Sequence, residues 1–226
     1  MNTIIQTARK AGNLMAFWDF RGGNEEDQSG NGHVLTVPSD ASLSRQGLRC
    51  RSTAATIDLD LSGTQNICVF ALVQAAQVQS TNEQLLWQHN TTWNGAGAFN
   101  LYQNANTYLT AMATGSSGQS QANFDAVYRT DSYFFSAHID KRLSYEMIKL
   151  YNRGILDTNN TVDNNTNDGS GFADSITYLL NNNVGSQPHK GLLQAFGILD
   201  FTDSDDQLSA TQQAQLYTEI RDLKTI

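Results

Sequence analysis

The sequence has little of what marks several common classes of protein. It contains two prolines, two cysteines and 14 lysines and arginines among 226 residues. Without a proline-rich or low-complexity tract it offers no flexible linker, and a single all-β domain is common at this length. A phosphate-binding face needs clustered cations, whereas the basic residues here are scattered and are densest between Arg45 and Arg51. The sequence therefore excludes nucleic acid as an expected partner.

Long hydrophobic runs are also missing. No window of about 18 apolar residues occurs, which is what a membrane-spanning helix requires. The first 17 residues lack the continuous apolar segment of a signal peptide. We therefore expect a soluble protein with no membrane insertion and no secretion signal.

Motifs for nucleophilic catalysis and for zinc binding are absent. There is no Gly-x-Ser-x-Gly motif, and the four histidines show neither HxH nor HExxH spacing. Cys50 and Cys68 have no histidine nearby in the sequence. Two alternatives remain for these cysteines, two buried thiols or one disulfide between neighbouring strands.

What the chain does contain is a series of short apolar runs separated by turn residues. Residues 55–61 alternate apolar and acidic side chains, as a half-buried strand does, and residues 67–73 are apolar on both faces, which predicts a central strand. Residues 131–140 and 145–151 are expected to form a hairpin. Ten phenylalanines, eight tyrosines and three tryptophans can fill the core of a β-sandwich.

The most distinctive loop is residues 27–33, Asp-Gln-Ser-Gly-Asn-Gly-His. Gly30 and Gly32 can supply the positive φ angles of tight turns, and Asp27 can accept a hydrogen bond from the backbone two residues on. Residues 14–20 before the loop and 34–37 after it are both β-prone. The loop is therefore predicted to link two strands of a sheet.

The start of the chain resembles the opening of laminin-G-like, concanavalin A-like lectin/glucanase domains. The resemblance lies in the run Trp18-Asp19-Phe20, in this loop and in Val34-Leu35. Further pieces follow in the family's order over residues 14–220, including a last strand at 191–201. The resemblance implies a two-sheet antiparallel jelly roll that binds carbohydrate or protein, and that in some branches cuts polysaccharides. Four positions depart from the family pattern. Arg21, Gln194 and Ala195 stand where acidic residues are usual, and Arg153 stands where asparagine is usual.

Residues 209–224 predict an α-helix. Ser209 and Gln212 fit a capping box, and Leu216, Ile220 and Leu223 recur at helical spacing. The expected fold is thus all-β, a concanavalin A-like jelly-roll sandwich over residues 14–226 with one C-terminal α-helix. Residues 1–13 are expected to be an N-terminal arm that lies outside the sandwich or contacts a partner, the alternative being a frayed terminus.

Two loops are candidates for ligand binding. Sugar sites commonly pair an exposed aromatic side chain with hydrogen-bonding amides or carboxylates. Trp93 and Asn94 fit this description in a polar loop, and Asn164 and Asp168 lie in the Asn/Asp-rich loop 157–171. The alternative for Trp93 is a side chain that folds over the edge of the sandwich.

A calcium ion is the candidate inorganic ligand, as a structural ion rather than a required cofactor. Asp27, Ser29 and Asn31 alternate oxygen-bearing side chains as the first half of a calcium loop does, but no glutamate follows at the twelfth position. A plain turn is the alternative.

An enzyme on this scaffold is the alternative hypothesis for function. Family glucanases carry a Glu-x-Asp-x-x-Glu strand whose two glutamates lie close enough for a retaining mechanism. That motif is missing, since the glutamates fall at positions 25, 26, 83, 146 and 219. A polysaccharide lyase would need a set such as Tyr102, His89 and Arg129, which no local motif joins.

The sequence therefore predicts a non-enzymatic, lectin-like module that binds a glycan or another protein. Single-domain proteins that are acidic, here with a formal net charge of −8, and rich in Asn and Gln resemble bacteriophage virion proteins. That resemblance implies a head decoration, fibre or tail adhesin that self-associates or binds another capsid or virion protein. The N-terminal arm would then become ordered on its partner.

Overall fold

The computed structural model describes residues 3–74, 84–103, 109–115, 118–124, 132–143, 148–157, 161–163, 171–203 and 207–222. Within these residues the chain forms sixteen strands and two α-helices. The helices are α1 (Ile4–Ala11) and α2 (Ala210–Asp222). The strands are β1 (Leu14–Asp19), β2 (Leu35–Thr36), β3 (Ser42–Ser44), β4 (Gly47–Arg49), β5 (Ala55–Asp60), β6 (Asn66–Gln74), β7 (Gln84–His89), β8 (Phe99–Gln103), β9 (Leu109–Thr114), β10 (Gln119–Phe124), β11 (Ser132–Asp140), β12 (Ile148–Asn152), β13 (Ile155–Asp157), β14 (Thr161–Asp163), β15 (Asp174–Leu179) and β16 (Leu192–Asp200).

The strands form two antiparallel sheets. The first has the order β13-β12-β11-β6-β16-β4-β3, with β1 paired to β16 on the same side as β4. The second has the order β14-β10-β9-β8-β7-β15-β5-β2. This confirms the predicted antiparallel sandwich, and the hairpin of β11 and β12 is confirmed with it.

The main core lies between the two sheets. It combines side chains such as Trp18 and Phe135 from the first sheet with Ile57 and Leu101 from the second. On β5 every second residue is buried, so the alternating pattern of the sequence does mark a half-buried strand.

A second apolar cluster lies on the other face of the first sheet, beneath the helices. Phe70 and Phe134 project from that face and meet Leu216 and Ile220 of α2. The first sheet is therefore buried on both faces, which is why β6 has apolar side chains on both faces along most of its length. No helix among the described residues is long and apolar enough to cross a membrane.

Helix α1 was not predicted. Thr3 caps its first turn and Gly12, at φ 78°, ends it. Ile5 is buried in the cluster beneath α2, and its amide donates to the Glu219 carboxylate at 3.3 Å. The expected arm is therefore largely a helix that packs on its own chain, and a frayed terminus does not describe it.

Helix α2 begins as its sequence indicates, and residues 223 and 224 of the predicted helix lie outside the described residues. Ser209 and Gln212 form the capping box, with the Ser209 amide donating to Gln212 Oε1 at 2.8 Å. At the other end, the Arg21 guanidinium donates to the Ile220 carbonyl at 2.9 Å. The same guanidinium forms a bidentate ion pair with the Asp19 carboxylate. The arginine that departs from the family pattern thus ties the C-terminal end of the helix to β1.

The loop 27–33 crosses between the sheets, so the prediction that it joins two strands of a sheet is wrong. Strand β1 belongs to the first sheet and β2 to the second. The loop instead covers the free edge of β1: the Gln28 amide donates to the Phe17 carbonyl at 2.7 Å, and Asn31 Nδ2 donates to the Met15 carbonyl at 2.7 Å. An edge strand protected in this way needs no hairpin partner.

The two cysteines are free thiols. Cys50 and Cys68 are both buried and unbonded to each other. Burial raises the pKa of Cys50 to about 11 and that of Cys68 to about 12. At neutral pH both are protonated and behave as small apolar side chains.

Buried histidines make the fold sensitive to mild acid. Burial lowers the pKa of His89 and of His138 from the ordinary 6.5 to about 4. Between pH 6.5 and pH 4 these histidines are protonated in the unfolded chain but stay neutral in the folded chain. The free energy of unfolding therefore decreases as the pH falls from about 6.5 towards 4. We expect a loss on the order of 2 kcal/mol for each histidine, measured by urea unfolding at a series of pH values. A flat profile between pH 7 and pH 4 would contradict this.

Candidate functional site

The outer face of the second sheet is polar, and both described helices pack on the other sheet. Thr56, Tyr178, Gln88, Asn100 and Met112 lie side by side across β5, β15, β7, β8 and β9. Their chain neighbours point into the core, so these five side chains project outward. We call this set the cross-strand row.

An open cavity of about 260 Å³ lies at the β5 end of the cross-strand row. Its lining residues are Ser52, Thr53, Ala54, Thr56, Tyr178, Asn182, Asn183, Val184 and Gly185. They supply hydroxyls, side-chain amides, one aromatic ring and the exposed Val184, but no charged side chain. We call this the Tyr178 cavity.

The loop that walls the Tyr178 cavity is held by its own amides. Asn181 Oδ1 accepts from the backbone of Asn182 and Gln187 at 2.9 and 3.0 Å. Gly185 has φ 74°, and a Cβ there would lie 2.5 Å from the Ser52 carbonyl oxygen. Only glycine lets the loop approach Ser52 this closely, so the cavity is preformed.

Trp93 lies beside the same row on a neighbouring loop. Its half-buried indole meets Tyr102 edge-on, with ring centroids 4.9 Å apart, and its carbonyl accepts from Asn100 Nδ2 at 2.8 Å. Asn183 Nδ2 donates to the Thr91 carbonyl at 2.6 Å and so joins this loop to the wall of the Tyr178 cavity. The Trp93 side chain folds onto the face of the sheet and keeps part of its surface open.

The other predicted ligand-binding residues are distributed differently. Asn94 is exposed next to Trp93. Asn164 and Asp168 lie outside the described residues, so their place relative to this face stays a prediction. Sequence reasoning missed Tyr178 and the amides of residues 181–183. The run of three asparagines before Val184 was the signal that could have indicated them.

Several oxygen atoms on this face are buried without a hydrogen-bond partner. They are Gln88 Oε1, Asn100 Oδ1, Thr110 Oγ1 and Thr114 Oγ1. The Gln88 amide is oriented by its donation to the Asn90 carbonyl at 2.7 Å, as Asn100 is by Trp93, so each leaves its oxygen as a spare acceptor. An unsatisfied buried polar group costs about 1–3 kcal/mol, which a donor from water or a ligand would recover.

Of the residues considered for a lyase, the two that the structure describes lie on opposite faces of the second sheet. His89 lies on the core side of β7, where its ring nitrogens meet Thr177 Oγ1 at 2.9 Å and the Ala173 carbonyl at 2.8 Å. Tyr102 lies on the outer face with Trp93. Arg129 falls outside the described residues.

Among the described residues, the carboxylates of Asp58, Asp60 and Asp174 lie on the outer face at its β5 margin. Asp60 of β5 is paired in register with Asp174 of β15. Hydrogen bonds from the hydroxyl and the amide of Ser62 lower the pKa of Asp60, whereas the acid of a glycosidase pair needs a raised one. Among the described residues, no three or more His, Cys, Asp or Glu side chains come together as a metal site.

The donor set of Asp27, Ser29 and Asn31 does not fit a calcium ion. Asp27 accepts from the Phe17, Ser29 and His33 amides at 2.9–3.1 Å and from Ser29 Oγ at 2.7 Å. Burial alone would raise the pKa of Asp27, but these bonds outweigh it and lower the pKa. Asn31 turns its Nδ2 towards β1. The Asp27 carboxylate therefore acts as a hydrogen-bond acceptor that holds the turn together.

Replacing Asp27 tests this assignment. We expect Asp27→Ala to lower the free energy of unfolding by about 2 kcal/mol, because four donors lose their acceptor. The control is Asp58→Ala, which removes an exposed carboxylate from β5. Calcium and EDTA should leave the melting temperature of the unchanged protein where it is. A melting temperature that rises with calcium concentration would show a bound ion instead.

Comparison with solved structures agrees with the sandwich. The serotype D botulinum neurotoxin ligand-binding domain in complex with N-acetylneuraminic acid superposes with a TM-score of 0.71 at 14% identity, covering 93% of this chain and 52% of that one. The binding domain of botulinum neurotoxin DC in complex with rat synaptotagmin II gives 0.71 at 12%, covering 92% and 52%. The receptor-binding domain of the C/D mosaic serotype gives 0.70 at 13%, covering 92% and 51%.

These similarities establish the fold. The chain spans about half the length of the structures it matches. No protein-family model and no curated protein matches the sequence.

Proposed function

We propose that the protein is a non-enzymatic, lectin-like module that binds a neutral glycan in the Tyr178 cavity. The observation that carries this proposal is the preformed, uncharged cavity on the sheet face opposite the helices. Such a cavity favours a ligand that forms many hydrogen bonds and carries no net charge. A sugar meets both requirements.

The chemistry of the lining matches a pyranose ring. The Tyr178 ring and Val184 offer apolar surface to the C–H face of a sugar, and Asn183 and Thr56 offer donors and acceptors to its hydroxyls. The residues that line the cavity include no cation and no carboxylate. Charged sugars would gain nothing there over neutral ones.

Trp93 extends the site along the cross-strand row. The contact between Asn183 and Thr91 places its loop directly beside the cavity. The buried side chains of Gln88 and Asn100 lie on the same face between the cavity and the Trp93 loop. A ligand longer than one sugar would reach Trp93 next, so we infer that the site takes an oligosaccharide.

The broader class, binding of a glycan or of a protein, has support from the solved structures of similar fold. One is a complex with N-acetylneuraminic acid and another is a complex with rat synaptotagmin II. Those ligands belong to the neurotoxin domains. For this chain, the uncharged lining of the Tyr178 cavity favours a neutral sugar.

Aromatic substitutions test the proposal. We expect Tyr178→Ala and Trp93→Ala each to weaken binding of a neutral oligosaccharide, selected on a glycan array, by about tenfold, because each removes a stacking surface. Affinity is measured by titration calorimetry. Ile155→Ser is the matched control, since Ile155 is exposed on β13 of the other sheet. The proposal would be overturned if the protein bound no neutral glycan on a broad array, or if Ile155→Ser lowered the affinity as much as the aromatic substitutions do.

Incubation of the protein with the same oligosaccharide distinguishes a binding module from an enzyme. A binding module leaves it intact during prolonged incubation, measured as the absence of new reducing ends or unsaturated products. Release of either product would establish the polysaccharide-degrading alternative instead.

A finer hypothesis is that the module belongs to a phage virion, as a head decoration, fibre or tail adhesin. Its basis is the resemblance noted in the sequence, and it requires an N-terminal arm that becomes ordered on a capsid or virion partner. Because α1 packs against α2 and β1 of its own chain, that requirement lacks support. Light scattering after gel filtration tests it: self-association would favour an assembly component, and a monomer would count against one.

A further inference from the structure

A second cavity, of about 370 Å³, opens at the β3–β4 margin of the first sheet. Its lining residues are Ser42, Ser44, Gln46, Arg49, Gln74, Lys190, Gly191 and Leu192. Both charged residues of this lining are cations, and none is an acid. We call it the Arg49 cavity, and its volume lies in the range of small-ligand sites.

The two cations come from different parts of the chain. Leu48 is fully buried in the core, so Arg49 next to it on β4 projects outward. Lys190 lies two residues before the start of β16, which pairs with β4 through Leu193 and Leu48. The cavity is thus lined by the Arg49 guanidinium on the β3–β4 hairpin and by the Lys190 ammonium near the start of β16.

The polar groups of the cavity are held in place by the sheet. Ser42 pairs in register with Arg49 across the β3–β4 hairpin, and Gln74 pairs with Leu192. Gly47 lies so close to β16 that a Cβ there would be 2.6 Å from the Leu193 carbonyl oxygen. This close approach lets the hairpin lie against β16 and fixes the wall that carries Arg49.

The local charge contrasts with the rest of the molecule. The chain carries a formal net charge of −8, yet the cavity lies on the segment between Arg45 and Arg51 where its basic residues are densest. The nearest acid along the chain, Asp40, does not line the cavity, and its carboxylate accepts from the Ser52 and Thr53 amides at 3.0 and 3.1 Å. A local positive field of this kind favours an anion.

We propose that the Arg49 cavity binds the acidic group of a sugar acid. The Arg49 guanidinium can engage a carboxylate with two parallel hydrogen bonds, and Lys190 adds a second positive charge. The Ser42 and Ser44 hydroxyls and the Gln46 and Gln74 amides match the ring hydroxyls of the same ligand. This site lies on the first sheet and is independent of the neutral glycan site at Tyr178.

Titration of the ¹⁵N-labelled protein with glucuronic acid, glucose and sodium sulfate tests the proposal. We expect glucuronic acid to shift the amide signals of Ser42, Arg49, Lys190 and Leu192, and glucose to leave them in place. Arg49→Gln and Lys190→Gln should each raise the dissociation constant about tenfold, because each removes a charge-assisted hydrogen bond. Lys10→Gln makes the same charge change on α1 and should leave the constant unchanged.

Three results would overturn the proposal. Equal shifts with glucose would show that charge plays no part. Equal weakening by Lys10→Gln would show only a general effect of net charge. Sulfate that binds as tightly as glucuronic acid would show a site for inorganic anions rather than for a sugar acid.

Discussion

The burial of the first sheet on both faces is the constraint on which the rest of the structure depends. One face meets the second sheet, and the other is covered by α1 and α2. Tight contacts hold the helical layer, since a Cβ on Gly154 would lie 2.5 Å from the Ala214 Cα. Ser136 Oγ also donates to Gln213 Oε1 at 2.8 Å inside this layer. The helices thereby cover the outer face of the first sheet, and among the described residues neither helix packs on the outer face of the second sheet.

The remaining outer face is unusual because it is polar and yet tightly packed. Gln88 and Asn100 use their amide nitrogens to hold the Trp93 loop and keep their oxygens as spare acceptors. Natural proteins leave few buried acceptors unsatisfied, and such groups concentrate where function requires them. The two amide oxygens are therefore buried acceptors of this face whose hydrogen bonds the fold leaves unmade.

The sequence predicted the sandwich because its strongest signals are local. Residues 67–73 are apolar on both faces, and the capping box at Ser209 and Gln212 forms as its spacing indicates. Helix α1 escaped prediction because its eight residues offer only a short apolar stripe, with Ile5 its one buried side chain. The crossing of loop 27–33 depends on which sheet each strand joins, which local β propensity does not determine.

The candidate site was only partly predictable for the same reason. An aromatic residue in a polar loop pointed to Trp93, but the Tyr178 cavity joins residues 52–56 to residues 178–185, which are far apart in the chain. The alternation of Asp27, Ser29 and Asn31 suggested calcium because spacing alone does not show which atoms donate. In the structure, the four donors to the Asp27 carboxylate give it the role of a turn acceptor.

The most direct test of this account is a map of the bound oligosaccharide on the protein by amide chemical shifts. The account predicts that the shifted signals cluster at Thr56, Tyr178 and residues 182–185, together with the indole N–H of Trp93. Shifts confined to α1, α2 or the sheet beneath them would contradict it, because they would place recognition on the face that the helices occupy.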